Sequence, residues 1–211
     1  MTGLWVWGAA LAAYALFLAW YQNWRGAIAP AEVDGLIGAI KAANPEAGER
    51  NEMGALRRFL ETDDGREFFM LNLVKLADGE VPDPATGKPR TARAVMEGYT
   101  KMFLPALLRK GGHPAIAARK IGPYFDAWGV PPDPGWSIVG YMRYRSRRDL
   151  AKLVANPRFG GAHDFKFAAM PQTFSFPTRP MIMTLASPRI TVGLALGCLA
   201  GLTQNAIALL A

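Results

Sequence analysis

The sequence predicts an α+β domain of the order strand, helix, strand, strand, helix, strand, held between two membrane-spanning helices. Three observations carry that fold class. All 24 Lys and Arg and all 17 Asp and Glu lie between Arg25 and Arg189, so both flanks are uncharged and apolar. Between them, apolar strand-like runs alternate with segments of helical periodicity. Gly- and Pro-rich stretches punctuate that alternation.

The elements follow in order. Leu4 to Tyr21 supplies the roughly 20 apolar residues that a membrane-spanning helix needs. Trp5 and Trp7 stand at one end, and Trp20, Tyr21 and Trp24 at the other. At a rise of about 1.5 Å per residue, Trp5 and Trp24 are roughly 28 Å apart, which suits two aromatic belts at the bilayer interfaces. A cleaved secretory signal would need a basic start and a small-residue cleavage site. Here the chain starts Met-Thr-Gly and the apolar run closes on Trp and Tyr, so the helix is expected to be retained.

A helical preface follows. Ala31 to Ala43 reads as a helix stopped at Asn44-Pro45, because the residue before proline avoids helical geometry. Asn51 to Thr62 reads as a second, capped by Asn51, with Met53, Leu56, Phe59 and Leu60 in one stripe. Asp63-Asp64-Gly65 is a turn. Phe68 to Leu76 is the first strand, and Ala77 to Arg90 is a loop. Thr91 to Lys110 is a helix closed by Gly111-Gly112. Ala115 to Ile121 is the second strand, and a loop with four prolines spans Gly122 to Gly135. Trp136 to Arg145 is the third strand. Ser146 to Met170 is mostly helix, opened by Ser146 and Asp149 at capping-box spacing and broken at Asn156-Pro157. Thr173 to Phe176 is the last strand. Ile190 to Ala211 is again long enough to span, with Gly193, Gly197 and Gly201 on one face for close helix packing. Gln204 and Asn205 in that segment are expected to hydrogen-bond to a neighbouring helix, a ligand contact being the sharper alternative. The expected organisation is therefore a transmembrane helix (1–24), a helical linker (25–66), the α+β domain (67–180), a linker (181–189) and a second transmembrane helix (190–211).

Several motifs carry a resemblance. Phe-Met-Leu-Asn-Leu-Val-Lys-Leu (69–76) is similar to the first strand of the dimeric α+β barrel superfamily. Tyr99, with Leu-Leu-Arg-Lys-Gly-Gly (107–112), resembles the helix that follows it. Tyr141 to Leu150 resembles the third strand and second helix start, and Asn156-Pro157-Arg158-Phe159 the helix break beyond. The branch it resembles holds short, uncharacterised domains related to antibiotic-biosynthesis monooxygenases. The resemblance covers about residues 66 to 180. It implies a ferredoxin-like domain and a homodimer in which two four-stranded sheets face each other and close a barrel.

The strands also suggest a pocket by themselves, since side chains alternate faces. Phe69, Leu71 and Leu73 form an all-apolar face suited to helices, leaving Phe68, Met70, Asn72 and Val74 opposite. On the third strand Ile138, Gly140 and Met142 are the apolar face, leaving Ser137, Val139, Tyr141 and Arg143. Met70, Asn72, Tyr141 and Arg143 are thus the expected pocket residues. Arg143 could hold an anion, and Tyr141 or Asn72 could orient a carbonyl. The more economical alternative is that these polar groups bond one another within the dimer.

Other chemistry is thin. His113 is expected in a loop, as a weak catalytic candidate beside Tyr141, Arg143 and Asn72. His163 and Asp164 are helix neighbours that do not face each other. No metal-ligand cluster, phosphate loop or nucleophile elbow is present, so no metal and no cofactor is expected. Cys198 is the single cysteine, which excludes an intrachain disulfide. The net charge of +7 is spread along the chain, which favours anionic lipid headgroups over nucleic acid as partner. Arg25, Arg179 and Arg189 flank the two apolar segments, so the middle is expected in the cytoplasm of a two-pass inner-membrane protein, with both ends on the opposite side. Two function classes fit. One is an accessory or structural subunit of a membrane assembly, packing on other transmembrane subunits or a second copy of itself. The other is a membrane-tethered enzyme, of cofactor-independent monooxygenase or isomerase type, acting on a hydrophobic small molecule.

Overall fold

The computed structural model describes residues 3–43, 45, 52–157, 160–183 and 187–210. Along the chain run α1 (Leu4–Tyr21), α2 (Pro30–Ala43), α3 (Met53–Glu61), β1 (Phe68–Lys75), β2 (Glu80–Pro82), β3 (Pro89–Thr91) and α4 (Ala92–Arg109). Then come β4 (His113–Arg119), β5 (Ile138–Tyr144), α5 (Arg147–Val154), α6 (Gly160–Ala169), β6 (Gln172–Thr178) and α7 (Pro188–Leu210). Asn44, Asn51, Arg158 and Phe159, named above for a helix stop, a cap and a break, lie outside the described residues. The chain divides into two units, residues 25–179 and the pair formed by 1–24 with 180–211.

The central unit is built on one antiparallel sheet in the order β4-β5-β1-β6. β1 pairs with β5 from Phe68↔Tyr144 to Val74↔Ile138, and with β6 from Phe69↔Thr178 to Lys75↔Gln172. The connecting helices end where local chemistry stops them. Thr91 caps α4 by accepting from the Ala94 N–H at 3.3 Å. At its other end the Gly112 N–H reaches the Leu107 carbonyl and the Gly111 N–H the Leu108 carbonyl. Gly111 has φ +70°, so this is the paired glycine stop. Ser146 caps α5, accepting from the Asp149 N–H at 3.1 Å while its hydroxyl donates to the Asp149 carboxylate at 2.8 Å. Burial raises the Asp149 pKa, but hydrogen bonds from Arg145 and Ser146 outweigh it and hold the carboxyl below its ordinary range.

β2 and β3 form a small hairpin within the stretch expected to be loop. Three-residue strands bounded by Pro82 and Pro89 carry no readable alternation. Buried Asp83 holds the turn, accepting from the Ala85 N–H at 2.9 Å and from Arg90 at 2.7 Å. The Arg90 hydrogen bond keeps its carboxyl below the usual range.

Helices cover one face of the sheet, and the face is not the one expected for β1. Phe68, Tyr144, Leu107, Leu150, Leu153 and Ala162 form one buried cluster, with Met70, Met142, Tyr99 and Phe103 against it. Val74 joins Ala92, Val95, Ala169 and Met170 in another, with Ile138 alongside. The covered face of β1 is therefore Phe68, Met70, Asn72 and Val74, and Phe69, Leu71 and Leu73 face the other way. On β5 the expected face, Ile138 to Met142, does meet the helices. Gly98 lets α4 and α6 close together, since a Cβ there would stand 2.5 Å from the Phe165 ring.

The preface is packed onto this unit. Ile28, Val33, Ile37, Ile40 and Leu60 share a core with Ala151 of α5. Arg148 anchors it, donating from Nε and Nη2 to Glu32 at 3.0 Å each, from Nη1 to the Gly26 carbonyl at 3.1 Å and from Nη2 to the Ala27 carbonyl at 2.8 Å. The Arg148 bonds to Glu32, with that from the Ala29 N–H, hold its carboxyl down to about 2. Arg147 lies over the Phe59 ring at 4.3 Å and donates to the Phe59 carbonyl and to Thr62.

In the other unit α1 and α7 pair antiparallel. The Trp7 indole donates to Gln204, and the Tyr14 hydroxyl donates to the Arg189 carbonyl at 3.0 Å. The Arg189 guanidinium stands 5.0 Å from the Tyr21 ring centre. Both helices are long and apolar enough to cross a membrane, and little of either is buried within the protein.

Candidate functional site

Within residues 25–179, the face of the sheet turned away from the helices is the candidate site. Strand register places Phe69, Leu71 and Leu73 there, and Val139, Tyr141 and Arg143 beside them. Phe174, Phe176 and Thr178 come from β6 opposite the β1 residues, and His113, Ile116 and Ala118 from β4 opposite those of β5. The middle of the face is apolar and half open to solvent: Phe174 and Phe176 are each 45% exposed and Ile116 is 48% exposed. Phe174 and Phe176 stack at 6.1 Å, and the Trp136 ring meets Phe174 edge-on at 5.3 Å.

The expected pocket residues are divided between the two faces. Met70 and Asn72 lie on the helix-covered side, Tyr141 and Arg143 on the open side. The expected convergence of Asn72 with Tyr141 and Arg143 is thereby corrected. Asn72 instead donates its amide to the Met70 carbonyl at 3.0 Å and the Gly140 carbonyl at 3.5 Å. Its neighbour across the strands is Gly140, which leaves the amide room.

Arg143 is 1% exposed. Its Nε donates to Glu67 at 2.9 Å, its Nη2 donates to the same carboxylate, and its Nη1 donates to the Gly111 carbonyl. A guanidinium bound to a carboxylate and to a carbonyl is already neutralised and oriented, so its chemistry is that of a staple between β5, the start of β1 and the α4–β4 turn. His113 is not in a loop but opens β4, level with Arg143, its Nδ1 at 2.9 Å from the Pro114 carbonyl. The proline that suggested a loop sits at the sheet edge beside a bulge, where a missing N–H is tolerated. Tyr141 is the polar residue left in the middle of the open face, between Leu71 and Ile116. Its hydroxyl makes no hydrogen bond among the described residues.

Titration chemistry gathers behind the sheet instead. Burial pushes the Tyr99 and Tyr144 phenols well above their ordinary values, so both stay neutral. Burial and nearby Lys166 lower His163. Among the described residues no three His, Cys, Asp or Glu side chains gather as a metal-ligand set.

In the helical pair the glycines separate. A Cβ on Gly193 would touch the Tyr14 ring at 3.4 Å, whereas Cβ atoms on Gly197 and Gly201 would meet nothing within 4 Å. The seam to α1 runs beside those two, through Leu196, Ala200 and Thr203. A groove of about 370 Å³ borders it, lined by residues that include Trp7, Tyr14, Gly193 and Gly197. Of the aromatic belt residues, Tyr21 is buried, whereas Trp5, Trp7, Trp20 and Trp24 are exposed. Gln204 accepts from Trp7, the helix-to-helix bond expected for it.

No family model and no curated protein matches the chain. In fold it is similar to the crystal structure of methylated RPA0582 protein, at 20% identity and a TM-score of 0.52, over 64% of this chain and 96% of that one. It is similar in the same way to a second crystal structure of RPA0582, described as a protein of unknown function from Rhodopseudomonas palustris. There the identity is 21% and the TM-score 0.50, over 63% and 96% of the two chains. The likeness shows an α+β fold with a four-stranded antiparallel sheet.

Proposed function

We propose that this chain is an integral membrane accessory or structural subunit, anchored by α1 and α7, with its α+β domain in the cytoplasm. The domain is read as ferredoxin-like and of the dimeric α+β barrel type, pairing with a second copy across the open sheet face. The strand order β4-β5-β1-β6 with helices on one side supports that reading. One observation carries the choice of function. The charged and amide candidates are occupied by the protein itself, Arg143 by Glu67 and Asn72 by backbone carbonyls, which leaves Tyr141, among the described residues, as the one open polar group in the middle of the face. What the described residues leave open is otherwise apolar: a sheet face and two bilayer-length helices. Exposed apolar surface of that extent marks interaction sites.

Purification from the native membrane in mild detergent tests this. The expected result is a stoichiometric assembly larger than a dimer of this chain. Gly197→Leu should release the subunit, because a Cβ there meets nothing within 4 Å among the described residues and the added side chain would fill the groove beside it. A lone dimer carrying a bound small molecule would overturn the proposal. That outcome would favour a membrane-tethered enzyme acting on a hydrophobic small molecule, which the unbonded Tyr141 hydroxyl on an apolar face supports. For the enzyme reading, turnover unchanged in Tyr141→Phe would remove its best-placed residue.

A further inference from the structure

We infer that the loop between β4 and β5 is a third membrane contact, a preformed apolar tip that rests in the headgroup region of the bilayer. The inference rests on the membrane-anchored reading above. Residues 120–137 divide into a pinned base and an outward tip. At the base Lys120 pairs with Asp133, whose carboxylate also accepts from the Gly135 N–H at 2.9 Å and the Trp136 N–H at 3.4 Å. The Lys120 N–H reaches the Ser137 carbonyl at 3.0 Å, and the Trp136 indole donates to the Tyr124 hydroxyl at 2.7 Å. Trp136 is buried, its ring against Phe174. The loop therefore does turn apolar groups inward where it has the chance.

Its other large apolar side chains point the opposite way. Ile121 is 91% exposed, Phe125 93%, Trp128 82% and Val130 58%. Pro123 restricts the backbone between Ile121 and Phe125, and Pro131, Pro132 and Pro134 restrict the return from Val130 to the base. The prolines lower the conformational freedom that the loop has to lose on binding, so ordering offsets less of the burial of its tip.

The chemistry selects a bilayer as occupant. Trp and Phe settle at headgroup depth, with Ile and Val reaching the acyl boundary. Lys120 and Asp133 cancel in the base, and Arg119 and Asp126 balance in charge. Attraction is then apolar rather than coulombic, and it should depend little on salt or anionic lipid. Asp126, beside Phe125, keeps the tip from the hydrocarbon core, where a carboxylate is costly. Two bilayer-length helices in the same chain hold the domain at high effective concentration near lipid, so weak insertion suffices.

Three single-cysteine forms of the full chain test the inference. One is the native protein, whose Cys198 is exposed on α7. The others are Cys198→Ala with Phe125→Cys, and Cys198→Ala with Thr86→Cys on the β2–β3 turn. Each is nitroxide-labelled and reconstituted into phosphatidylcholine vesicles with and without phosphatidylglycerol. The label at 125 should collide several-fold more with oxygen, relative to a water-soluble nickel chelate, than the label at 86, in both lipids and at high salt. Equal water access at 125 and 86 would overturn the inference. So would a label at 125 shielded from both agents with dipolar broadening, which would mean contact with a second copy. A label at Cys198 in water would sink the membrane-anchored reading itself. Cys198 in lipid with residue 125 in water would sink the loop contact alone.

Discussion

The two faces of the central sheet are both apolar, yet only one is finished. Behind the sheet, Phe68, Met70, Met142 and Tyr144 interleave with α4, α5 and α6, and Phe68 stacks on Tyr144 at 5.3 Å. In front, Phe174 and Phe176 are exposed, and Leu71 and Leu73 beside them are half-buried. Apolar composition therefore does not distinguish a core from an interface in this chain; what covers the face does. The finished face holds the fold, and the unfinished one keeps apolar side chains exposed within residues 25–179.

The largest effect is expected behind the sheet. Leu107 is fully buried in the main cluster, so Leu107→Ala should destabilise the chain by about 2–5 kcal/mol in urea titrations followed by tryptophan fluorescence. A loss no greater than that of an exposed substitution would mean the cluster is not the core.

A smaller effect is expected where α4 meets α6. In Gly98→Ala the new methyl would enter the Phe165 ring, and overpacking of this kind costs about 1–3 kcal/mol. Alanine returns up to about 1 kcal/mol of helix propensity, so the net loss is modest. Adding Phe165→Leu to Gly98→Ala should recover part of it, because the smaller side chain makes room. Simple additivity of the two changes in a double-mutant cycle would show that the pair is not in contact.

The sequence revealed the sheet more readily than its two sides. Caps were legible because they are local. Ser146 with Asp149, and Gly111-Gly112, act within a few residues of themselves. The direction of β1 was not legible. Phe68 to Leu76 is apolar at nearly every position, so a period of two selects no face. Asn72 pointed to the wrong side because a polar residue reads as outward. Its amide is satisfied by the Met70 and Gly140 carbonyls, and Gly140 becomes its neighbour only through strand register. Arg143 looked like an anion hook for the same reason. Its carboxylate partner Glu67 lies 76 residues away in sequence, and long-range pairing leaves no local signature. The β2–β3 hairpin was too short for periodicity to detect.

The smallest effect on stability, and the most informative, is expected in front of the sheet. Phe176 lies on the open face, stacked on Phe174 and on no other ring among the described residues. Phe176→Ser should change unfolding free energy by no more than about 0.5 kcal/mol, as for other exposed positions. Association should respond differently. A phenylalanine that a second sheet buries contributes about 1.5–3 kcal/mol, which is roughly ten- to a hundredfold in a dissociation constant. Sedimentation of the detergent-solubilised chain reads the second quantity, and urea titration of the same samples reads the first. A large loss of stability with unchanged association would mean that this face is already completed within one chain. Loss of association at constant stability would leave the open face as the surface on which two copies meet, with Tyr141 enclosed between them.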